Sequence, residues 1–422
     1  MTLPVSLADW LVYIERQHPK TIEMGLDRVR AVAGRMALRA PARKTIVVGG
    51  TNGKGSTVAF IEAIARAAGW NVGAYTSPHL LAYNERVRID GRDADDDALV
   101  AAFSAVEAVR GDTPLTYFEY GTLGALWLFA RARLDLAVLE VGLGGRLDAV
   151  NLVDADVAVI TTVDIDHTDW LGTDRESIGE EKAGIARAWK PLVLGEIDPP
   201  SSVLRRAYGV GANAIRYGSD YFCEPIDAAR WRWRDVSVRL ELPMPALQAP
   251  VQLANAGAAI AALRALRKPV PRQAWAEGVA GAHVAGRLQA LQVGGVEVLL
   301  DVGHNPQAAR ELANALRARP VPGTTHAVYA ALADKDSAAV VAELAGEVAH
   351  WQLAGLEGAR GQSAEALRQR LAGTSAGSAD LAENVAQALA QTLSRAQPGD
   401  RVLVFGSFHT VTDALKSLHS VA

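Results

Sequence analysis

The chain has 422 residues, of which 50% are hydrophobic and 21% charged, a composition typical of folded globular domains. This composition excludes extensive disorder, collagen-like repeats and a continuous coiled coil. The formal net charge of −4 provides no overall positive field for a nucleic-acid backbone, so we expect no nucleic-acid partner. A single cysteine, Cys223, excludes a disulfide within the chain and favours a reducing compartment.

The sequence shows neither a membrane helix nor a secretory signal. The longest apolar run, residues 121–130, is far shorter than the roughly 20 residues that a membrane helix needs, and Arg131 ends it. The N-terminal segment carries Asp9 and Glu15 and lacks the basic start and apolar stretch of a signal peptide. We therefore expect a cytoplasmic protein with no membrane partner.

Short apolar runs alternate with segments of helical period, which predicts a parallel α/β sheet in the first half of the chain. Strands are predicted at residues 44–48, 72–76, 134–141, 157–163 and 192–194. Helices are predicted at residues 54–68, 97–109, 122–132 and 176–188. In the stretch 208–250 apolar residues such as Trp231, Trp233 and Leu240 alternate with polar ones, so a small antiparallel sheet is expected there.

A second α/β series follows two further helices. The elements predicted from here onward are helices 251–266 and 271–280, strand 296–300, helix 306–318, strand 325–330, helices 337–345 and 383–396, strand 401–405 and helix 411–419. Two α/β domains are therefore expected, at residues 1–285 and 297–422, with a linker at residues 286–296.

Residues 48–57 read Val-Gly-Gly-Thr-Asn-Gly-Lys-Gly-Ser-Thr and lie between a predicted strand and an amphipathic helix. Glycines let backbone N–H groups surround phosphate oxygens, and the helix N-terminus adds a favourable dipole. Lys54 would reach the β- and γ-phosphates, although Gly55 departs from the usual spelling by separating Lys54 from Ser56. The alternative is a glycine-rich turn with a solvated lysine; the strand–loop–helix context favours a phosphate site.

Groups suited to hard cations follow three predicted strands, at the edge where parallel sheets place ligands. These groups are Ser77 and His79 after the second strand, Glu140 at the end of the third, and Asp164, Asp166, His167 and Asp169 after the fourth. Each alone fits an ordinary polar loop residue. Together, beside a phosphate loop, they favour Mg²⁺ that carries nucleotide phosphates.

Lys182 lies on the apolar face of its predicted helix, since Ile178 is four residues before it and Ile185 three after. A lysine held there is desolvated, which favours the neutral amine and a functional use. The alternative is a lysine that buries its stem and keeps its ammonium group in water.

Seven motifs, in this order, resemble the Mur ligase superfamily and, within it, the folylpolyglutamate synthase/dihydrofolate synthase family. They are GTNGKGS at 50–56, TSPHL at 76–80, LEVGLGGRLDA at 139–149, DH at 166–167, EKAGI at 181–185, GRL at 286–288 and DVGHNP at 301–306. The resemblance implies an ATP-binding first domain with a P-loop-type parallel sheet, and a Rossmann-like second domain that handles glutamate.

The resemblance also implies roles for individual residues. Thr51, Asn52, Gly53, Lys54, Gly55 and Ser56 would hold ATP, together with Asn255, Arg287 and Asp301. The Mg²⁺ ligands would be Ser77, Glu140 and His167. Lys182 matches the family's carbamylated lysine, which supports a second Mg²⁺, and K⁺ is a further candidate ion. His304 and Ser407 match positions that handle the incoming glutamate, so Lys54, Lys182 and His304 form the implied catalytic set.

Two segments and one carboxylate resemble the dihydropteroate-binding elements of bifunctional bacterial enzymes. The residues concerned are Glu23, Thr116, Phe118, Glu119 and Asp148. An aromatic ring can stack on a flat heterocycle, and a carboxylate can pair with ring N–H donors. The alternative for residues 117–120 is the start of a helix with core aromatics. The chain departs from some relatives at Val251, where they carry histidine before Gln252.

The implied reaction is the ATP-dependent addition of L-glutamate to dihydropteroate and to reduced folates through an acyl phosphate, by an enzyme expected to be monomeric. A monofunctional folylpolyglutamate synthase shares the same phosphoryl chemistry and stays an alternative. A peptidoglycan Mur ligase is disfavoured because residues 1–43 are too few for its extra N-terminal domain. A P-loop switch or kinase would not need a second α/β domain.

Overall fold

In the computed structural model, which describes residues 3–419, an eight-stranded sheet forms the centre of the first part of the chain. Its order is β4-β3-β2-β5-β1-β6-β7-β8, and all neighbours run parallel except β2–β3 and β3–β4. The strands are β1 Lys44–Gly49, β2 Val72–Tyr75, β3 Val87–Ile89, β4 Arg92–Asp93, β5 Leu136–Glu140, β6 Val157–Ile160, β7 Pro191–Leu194 and β8 Asn213–Arg216.

Helices cover this sheet, which explains why its central strands are apolar without alternation. They are α1 Leu7–Glu15, α2 Asp27–Arg35, α3 Lys54–Ala67, α4 Asp96–Arg110, α5 Tyr117–Arg131, α6 Thr168–Leu171, α7 Arg175–Ala183, α8 Ser201–Gly209, α9 Gln252–Ala265 and α10 Arg272–Gly281. In β1, for example, Ile46, Val47 and Val48 are all buried. None of the helices in residues 3–419 combines the length and apolar composition needed to cross a bilayer.

The predicted small antiparallel sheet is confirmed, with strands β9 Tyr221–Pro225, β10 Arg230–Asp235 and β11 Arg239–Pro243. Trp231 and Trp233, two residues apart in β10, lie on the buried face of this sheet and are at most 1% exposed. The sheet is smaller than the stretch 208–250, because Tyr208 lies in α8 and residues 213–216 form the last strand of the large sheet.

The second part of the chain contains a six-stranded sheet of order β12-β13-β17-β14-β15-β16, parallel except for the pair β12–β13. The strands are β12 Gln289–Val293, β13 Val296–Asp301, β14 Thr325–Tyr329, β15 His350–Ala354, β16 Asp380–Ala382 and β17 Arg401–Phe405. The helices are α11 Pro306–Ala318, α12 Ser337–Leu344, α13 Ala364–Arg370, α14 Val385–Arg395 and α15 Phe408–His419. The predicted class, two α/β domains with a small antiparallel sheet in the first, is confirmed.

Contacts divide the chain at His283, close to the predicted boundary, but residues 286–296 are not a plain linker. They contain β12, which pairs with β13 through a two-residue turn at Gly294 and Gly295, with φ values of 57° and 82°. Positive φ at both positions is typical of a tight hairpin, so the glycine pair was a usable signal. Residues 1–2 and 420–422 of the predicted domains lie outside the described residues.

The second unit also includes a short piece of chain taken from within the first, Leu247–Val251. The Gln248 side chain hydrogen-bonds with Arg319, and Ala249 packs against the apolar core of the second unit. The chain therefore passes between the two units three times, after Ala246, after Val251 and after His283.

Two helix boundaries differ from the predictions for local reasons. The helix expected at 122–132 begins at Tyr117, because Thr116 and Glu119 form a capping box that satisfies the first N–H groups. The helix expected at 176–188 ends at Ala183, and its C-cap is Gly184. The Thr-x-x-Glu motif at residues 116–119 is a capping-box pattern that indicates the start of this helix in the sequence.

Candidate active site

The phosphate loop lies against the residues that follow β6. The Thr51 N–H donates to the Thr162 carbonyl at 2.7 Å, and the Thr161 hydroxyl donates to the Asn52 carbonyl at 2.5 Å. The Thr51 hydroxyl donates to the Asp164 carbonyl at 3.1 Å and accepts the Asp164 N–H at 2.9 Å. The loop is thus held by the segment that carries the third group of predicted cation ligands.

Lys54 is the first residue of α3 and its side chain turns back over the loop. Its Nζ donates to the Gly50 carbonyl at 3.1 Å and to the Thr51 carbonyl at 3.2 Å. Gly53, which precedes it, has φ 84° and serves as the N-cap of the helix. The strand–loop–helix arrangement expected of a phosphate site is therefore present, with Ser56 buried in the first turn of α3.

Asn255 lies beside this loop although it is about two hundred residues further along the chain. A Cβ added at Gly53 would come within 2.5 Å of the Asn255 Oδ1. The Asn255 amide is buried and donates to the Gln252 Oε1 at 3.0 Å. The structure thus brings Asn255 to the predicted nucleotide loop, as the motif comparison implied.

Glu140 ends β5 and faces the beginning of the segment after β2. Its Oε2 accepts the Ser77 N–H at 3.3 Å and lies 3.7 Å from the position that a Cβ at Gly55 would take. His167 caps α6 with a left-handed backbone, φ 54°, and its N–H donates to the Asp166 carboxylate at 2.8 Å. Ser77, Glu140 and the start of α3 therefore lie together.

A small cavity brings together residues from four of these elements. Its lining consists of Gly50, Thr51, Lys54, Val141, Gly142, Leu143, Gly144, Asp166, His167 and Lys182. The two lysines that the sequence singled out thus face one space. Within residues 3–419, no group of three or more His, Cys, Asp or Glu side chains is close enough to hold an ion. The predicted set includes only two such side chains, with the Ser77 hydroxyl as third donor.

Lys182 is 4% exposed, so its predicted position on a buried helix face is confirmed and a solvated ammonium group is excluded. Burial, the largest cause, and the charge of Lys54 lower the pKa of Lys182 from 10.5 to about 7. Asp166 and Asp148 act in the opposite direction. The neutral amine is therefore accessible near neutral pH.

Phe118 covers the loop that follows β5. A Cβ added at Gly142 would lie 2.6 Å from the Phe118 ring, and the Tyr75 ring is 6.0 Å away, centroid to centroid. Asp148 fixes the other end of this loop, because its two oxygens accept the N–H groups of Leu143 at 2.8 Å and Val150 at 2.9 Å. Burial raises the pKa of Asp148 to about 6 despite these hydrogen bonds.

Glu119, predicted to contact the pterin ring, is engaged within the protein. One of its oxygens accepts the Thr116 N–H at 2.8 Å, and the other accepts from Arg28 at 3.1 Å. The same guanidinium lies 3.6 Å from the Glu23 carboxylate and donates to the Glu23 carbonyl. Arg28 thus joins the two predicted pterin-binding segments, and no spacing in the sequence pointed to it.

In the second unit, Asp301 ends β13 and holds the GRL motif. Its carboxylate accepts the Leu288 N–H at 2.9 Å and the Gly303 N–H at 2.7 Å. Burial raises the pKa of Asp301, while the positive charge of Arg287 opposes the rise. The Arg287 guanidinium lies 5.5 Å from the centre of the Phe408 ring. Arg287 and Asp301 are therefore brought together.

His304 and Ser407 follow two neighbouring strands of the same sheet. The His304 Nδ1 lies 2.9 Å from the Val302 carbonyl, which assigns the proton to Nδ1 in that contact. The buried Ser407 hydroxyl accepts the Thr410 N–H at 3.0 Å and lies 2.7 Å from the Thr410 hydroxyl. Since Thr410 donates its own proton to the Ala330 carbonyl, Ser407 is the donor between the two hydroxyls.

Comparison with known proteins gives matches over nearly the whole chain. Residues 48–263 match the Mur ligase middle domain, and residues 286–408 match the Mur ligase glutamate ligase domain. The chain is 47% identical to the dihydrofolate synthase/folylpolyglutamate synthase of Escherichia coli K12, over 97% of this chain and 95% of that one. It is 42% identical to the Haemophilus influenzae protein of the same name, over 96% of each chain.

Two solved structures are similar over their full length. E. coli FolC in complex with DHPP and ADP has a TM-score of 0.94 at 46% identity, covering 99% of this chain and 98% of that one. A bifunctional folylpolyglutamate synthase/dihydrofolate synthase with Mn, AMPPNP and L-glutamate bound has a TM-score of 0.91 at 46% identity, covering 98% of each. The chain belongs to the dihydrofolate synthase/folylpolyglutamate synthase family of the Mur ligases.

Proposed function

We propose that the protein is an ATP-dependent ligase that joins L-glutamate to dihydropteroate, giving dihydrofolate, and to folyl-(poly)glutamates. The cavity shared by the phosphate loop, Lys54 and Lys182 carries this proposal. Relatives with the same fold have been solved with ADP and DHPP, and with AMPPNP, Mn and L-glutamate. These ligands correspond to the three substrates and the divalent metal of such a reaction.

The residues of the first unit suit ATP phosphates and a hard cation. The N-terminus of α3 offers backbone N–H groups, and Lys54 supplies a positive charge beside them. The Ser77 hydroxyl and the Glu140 carboxylate are oxygen donors of the kind that Mg²⁺ prefers, and the His167 imidazole adds a nitrogen donor to the proposed set. A bound Mg²⁺ would neutralise charge that develops on the transferred phosphoryl group.

Lys182 is proposed to carry a carbamate that supports a second Mg²⁺. The nitrogen of the neutral amine bonds to the carbon of carbon dioxide and releases one proton to solvent, which leaves the carbamate anion. A pKa of about 7 makes the neutral amine available at physiological pH. The carbamate would replace a buried amine by an anion facing Lys54 and the phosphate loop. K⁺ is proposed as a further ion on the family resemblance alone.

In this reaction the protein mainly positions the reacting groups and neutralises the charge that develops on them. The substrate carboxylate attacks the γ-phosphorus of ATP, which releases ADP and leaves an acyl phosphate. The glutamate amine then attacks the acyl carbon, loses a proton and expels phosphate. Lys54 stabilises the negative charge that accumulates during the first step.

We place the pterin end of the substrate against Phe118, which offers an aromatic face. Asp148 and Glu23 are the proposed polar partners there. Thr116 and Glu119 act by fixing the start of α5 and hence the position of Phe118, since their polar groups bond to each other. A monofunctional folylpolyglutamate synthase stays an alternative, because it would use the same phosphoryl chemistry with a less developed pterin site.

Residues of the second unit are proposed to bind nucleotide and glutamate. Arg287 and Asp301 would contact ATP, and His304 would meet the incoming amino acid. Ser407 would act by holding the first turn of α15, because its hydroxyl is already bonded to Thr410. We further propose that the protein acts as a monomer.

The test is an ATP-consumption assay with dihydropteroate or tetrahydrofolate, each with and without L-glutamate. We expect ATP hydrolysis to depend on a folate-type acceptor and on glutamate, and dihydrofolate to form from dihydropteroate. Glutamylation of tetrahydrofolate without any dihydrofolate formation would leave the monofunctional alternative. ATP hydrolysis that is indifferent to both substrates would contradict a ligase.

A further inference from the structure

Arg175 and Glu196 both hydrogen-bond with the backbone of Val163. The Val163 N–H donates to the Glu196 Oε1 at 3.1 Å, and the Arg175 Nε donates to the Val163 carbonyl at 2.8 Å. The Arg175 Nη2 closes the ring by donating to the Glu196 Oε2 at 3.1 Å. A second bond from Nη2, to the Asp198 carbonyl at 3.1 Å, anchors the arginine. The backbone N–H and the backbone carbonyl of Val163 are thus both bound by one charged pair.

The three residues come from elements that meet at the candidate site. Val163 is fully buried and directly precedes the loop 164–167, which includes Asp166 and His167. Arg175 is the first residue of α7, the helix that carries Lys182. Glu196 follows β7, next to β6 in the sheet. The pair therefore joins the loop, the helix and the neighbouring strand end.

An exposed ion pair by itself contributes little to stability, and Arg175 is 41% exposed. This pair differs from an ordinary surface pair because both of its side chains also bind the backbone of Val163. Without the Glu196 carboxylate, the N–H group of a buried residue would lose its acceptor, which is a costly change. The lost hydrogen bond would destabilise the segment that directly precedes the loop 164–167.

We infer that Arg175 and Glu196 are positioning residues that set the distance between α7, with Lys182, and the loop bearing Asp166 and His167. They act through the Val163 backbone. The consequence for nucleotide and metal binding rests on the proposed function, because that function places both ligands at this loop. The geometric role itself does not depend on the substrate.

The experiment compares wild type with Glu196→Ala, Arg175→Ala and Glu196→Gln. Glu347→Ala is the matched control, because it removes a comparable arginine–carboxylate pair, Arg317–Glu347 at 2.8 Å, from the second unit. Burial raises the pKa of Glu196 to about 7, Arg175 and the Val163 N–H oppose the rise, and Asp164 and Asp198 add to it. Measurements are therefore made well above pH 7, where the carboxylate is ionised.

Two readouts are used, amide hydrogen exchange over residues 161–172 and calorimetric binding of AMPPNP with Mn²⁺. In Glu196→Ala and Arg175→Ala we expect faster exchange confined to that segment and about 10-fold weaker binding, the scale of a lost outer partner at a metal site. Glu196→Gln should recover much of the affinity, because its amide oxygen still accepts the Val163 N–H. Glu347→Ala should match wild type in both readouts.

Wild-type exchange and affinity in Glu196→Ala would overturn the inference. Faster exchange spread evenly over both units would do the same, since it would indicate a general loss of stability. If the alanine variants do not fold, Arg175→Lys decides, because lysine keeps the charge and loses the paired donors to the Val163 carbonyl and to Glu196. Exchange and affinity equal to wild type in Arg175→Lys would contradict the role. Absence of dihydrofolate formation by wild type would contradict the proposed function only, because neither readout needs a folate.

Discussion

The amide oxygen of Asn255 occupies the space that a side chain at Gly53 would need, only 2.5 Å from the position of a Cβ. Gly53 also has φ 84°, a conformation that side-chain-bearing residues rarely adopt. This close approach couples the start of α9 to the phosphate loop. It explains how a residue from a distant part of the chain comes to lie against the loop where the nucleotide is proposed to bind.

Replacing Gly53 by alanine should therefore damage ATP binding more than backbone strain alone predicts. The matched control is Gly69→Ala, since Gly69 follows the same helix with φ 79° and has open space around it. We expect both variants to lose stability, and only Gly53→Ala to raise the KM for ATP, by roughly 10-fold or more. Equal ATP affinity in the two variants would show that the contact with Asn255 does not matter.

Lys54→Ala should abolish ligation and leave the fold intact, because its amine faces the shared cavity and donates to two carbonyls of the phosphate loop. The loss of one charge-stabilising group at a reaction centre typically costs about 10²–10³ in rate. Turnover at saturating ATP measures it, with Lys190→Ala as the control, since Lys190 is half exposed and pairs with Asp156. Near-parental turnover of Lys54→Ala would contradict the assignment.

The buried Lys182 predicts a pH dependence of stability. Between pH 7 and 10.5 the unfolded chain binds a proton at this position that the folded chain does not, so the free energy of unfolding rises with pH. The slope is at most about 1.4 kcal/mol per pH unit. Denaturation in buffers free of carbon dioxide should show this slope in wild type and in Lys416→Met, and a weaker one in Lys182→Met.

Bicarbonate provides a second test at the same residue. If the amine forms a carbamate, added bicarbonate should stabilise wild type and leave Lys182→Met unaffected. Lys182→Ala should be impaired in ligation and partly rescued by a short added carboxylate. An active Lys182→Ala enzyme together with no bicarbonate effect would rule the carbamate out.

Phe118→Ala should raise the KM for dihydropteroate more than the KM for a folate with a glutamate tail. Dihydropteroate lacks that tail, so the pterin and benzoate rings must supply most of its binding energy; an aromatic contact is worth roughly 1–3 kcal/mol per ring. Phe222→Ala is the control, because Phe222 lies in the small antiparallel sheet against Arg234. Equal changes for both substrates would remove Phe118 from pterin recognition.

The parts of the site that the sequence predicted are those built from neighbours along the chain. Residues 44–67 form strand, loop and helix as expected, since strand burial, loop glycines and helix period are all local signals. The burial of Lys182 followed from its spacing to Ile178 in the same way. Local periodicity was sufficient to predict the burial of a residue where the neighbours that bury it lie in the same helix or strand.

What could not be predicted depends on contacts between distant segments. Arg28 and Glu119 are 91 residues apart, and only the packing of α2 against α5 brings them together. Thr116 and Ser407 were assigned to ligands by resemblance, yet each hydroxyl caps a helix, a role that any serine or threonine at such a position can fill. The sequence identifies the hydroxyl but not which of its possible partners it meets.

The passage of residues 247–251 through the second unit limits how this protein can be divided. A polypeptide that begins at Val284 would lack the stretch whose Gln248 and Ala249 belong to that unit, and would expose the apolar surface under Ala249. A chimera that exchanges the second unit between two relatives must therefore replace two separate gene segments, those for residues 247–251 and for residues 284–422. A single crossover near residue 284 would combine the second unit of one relative with residues 247–251 of the other. Recombination during evolution faces the same restriction, so the two halves are expected to have been inherited together.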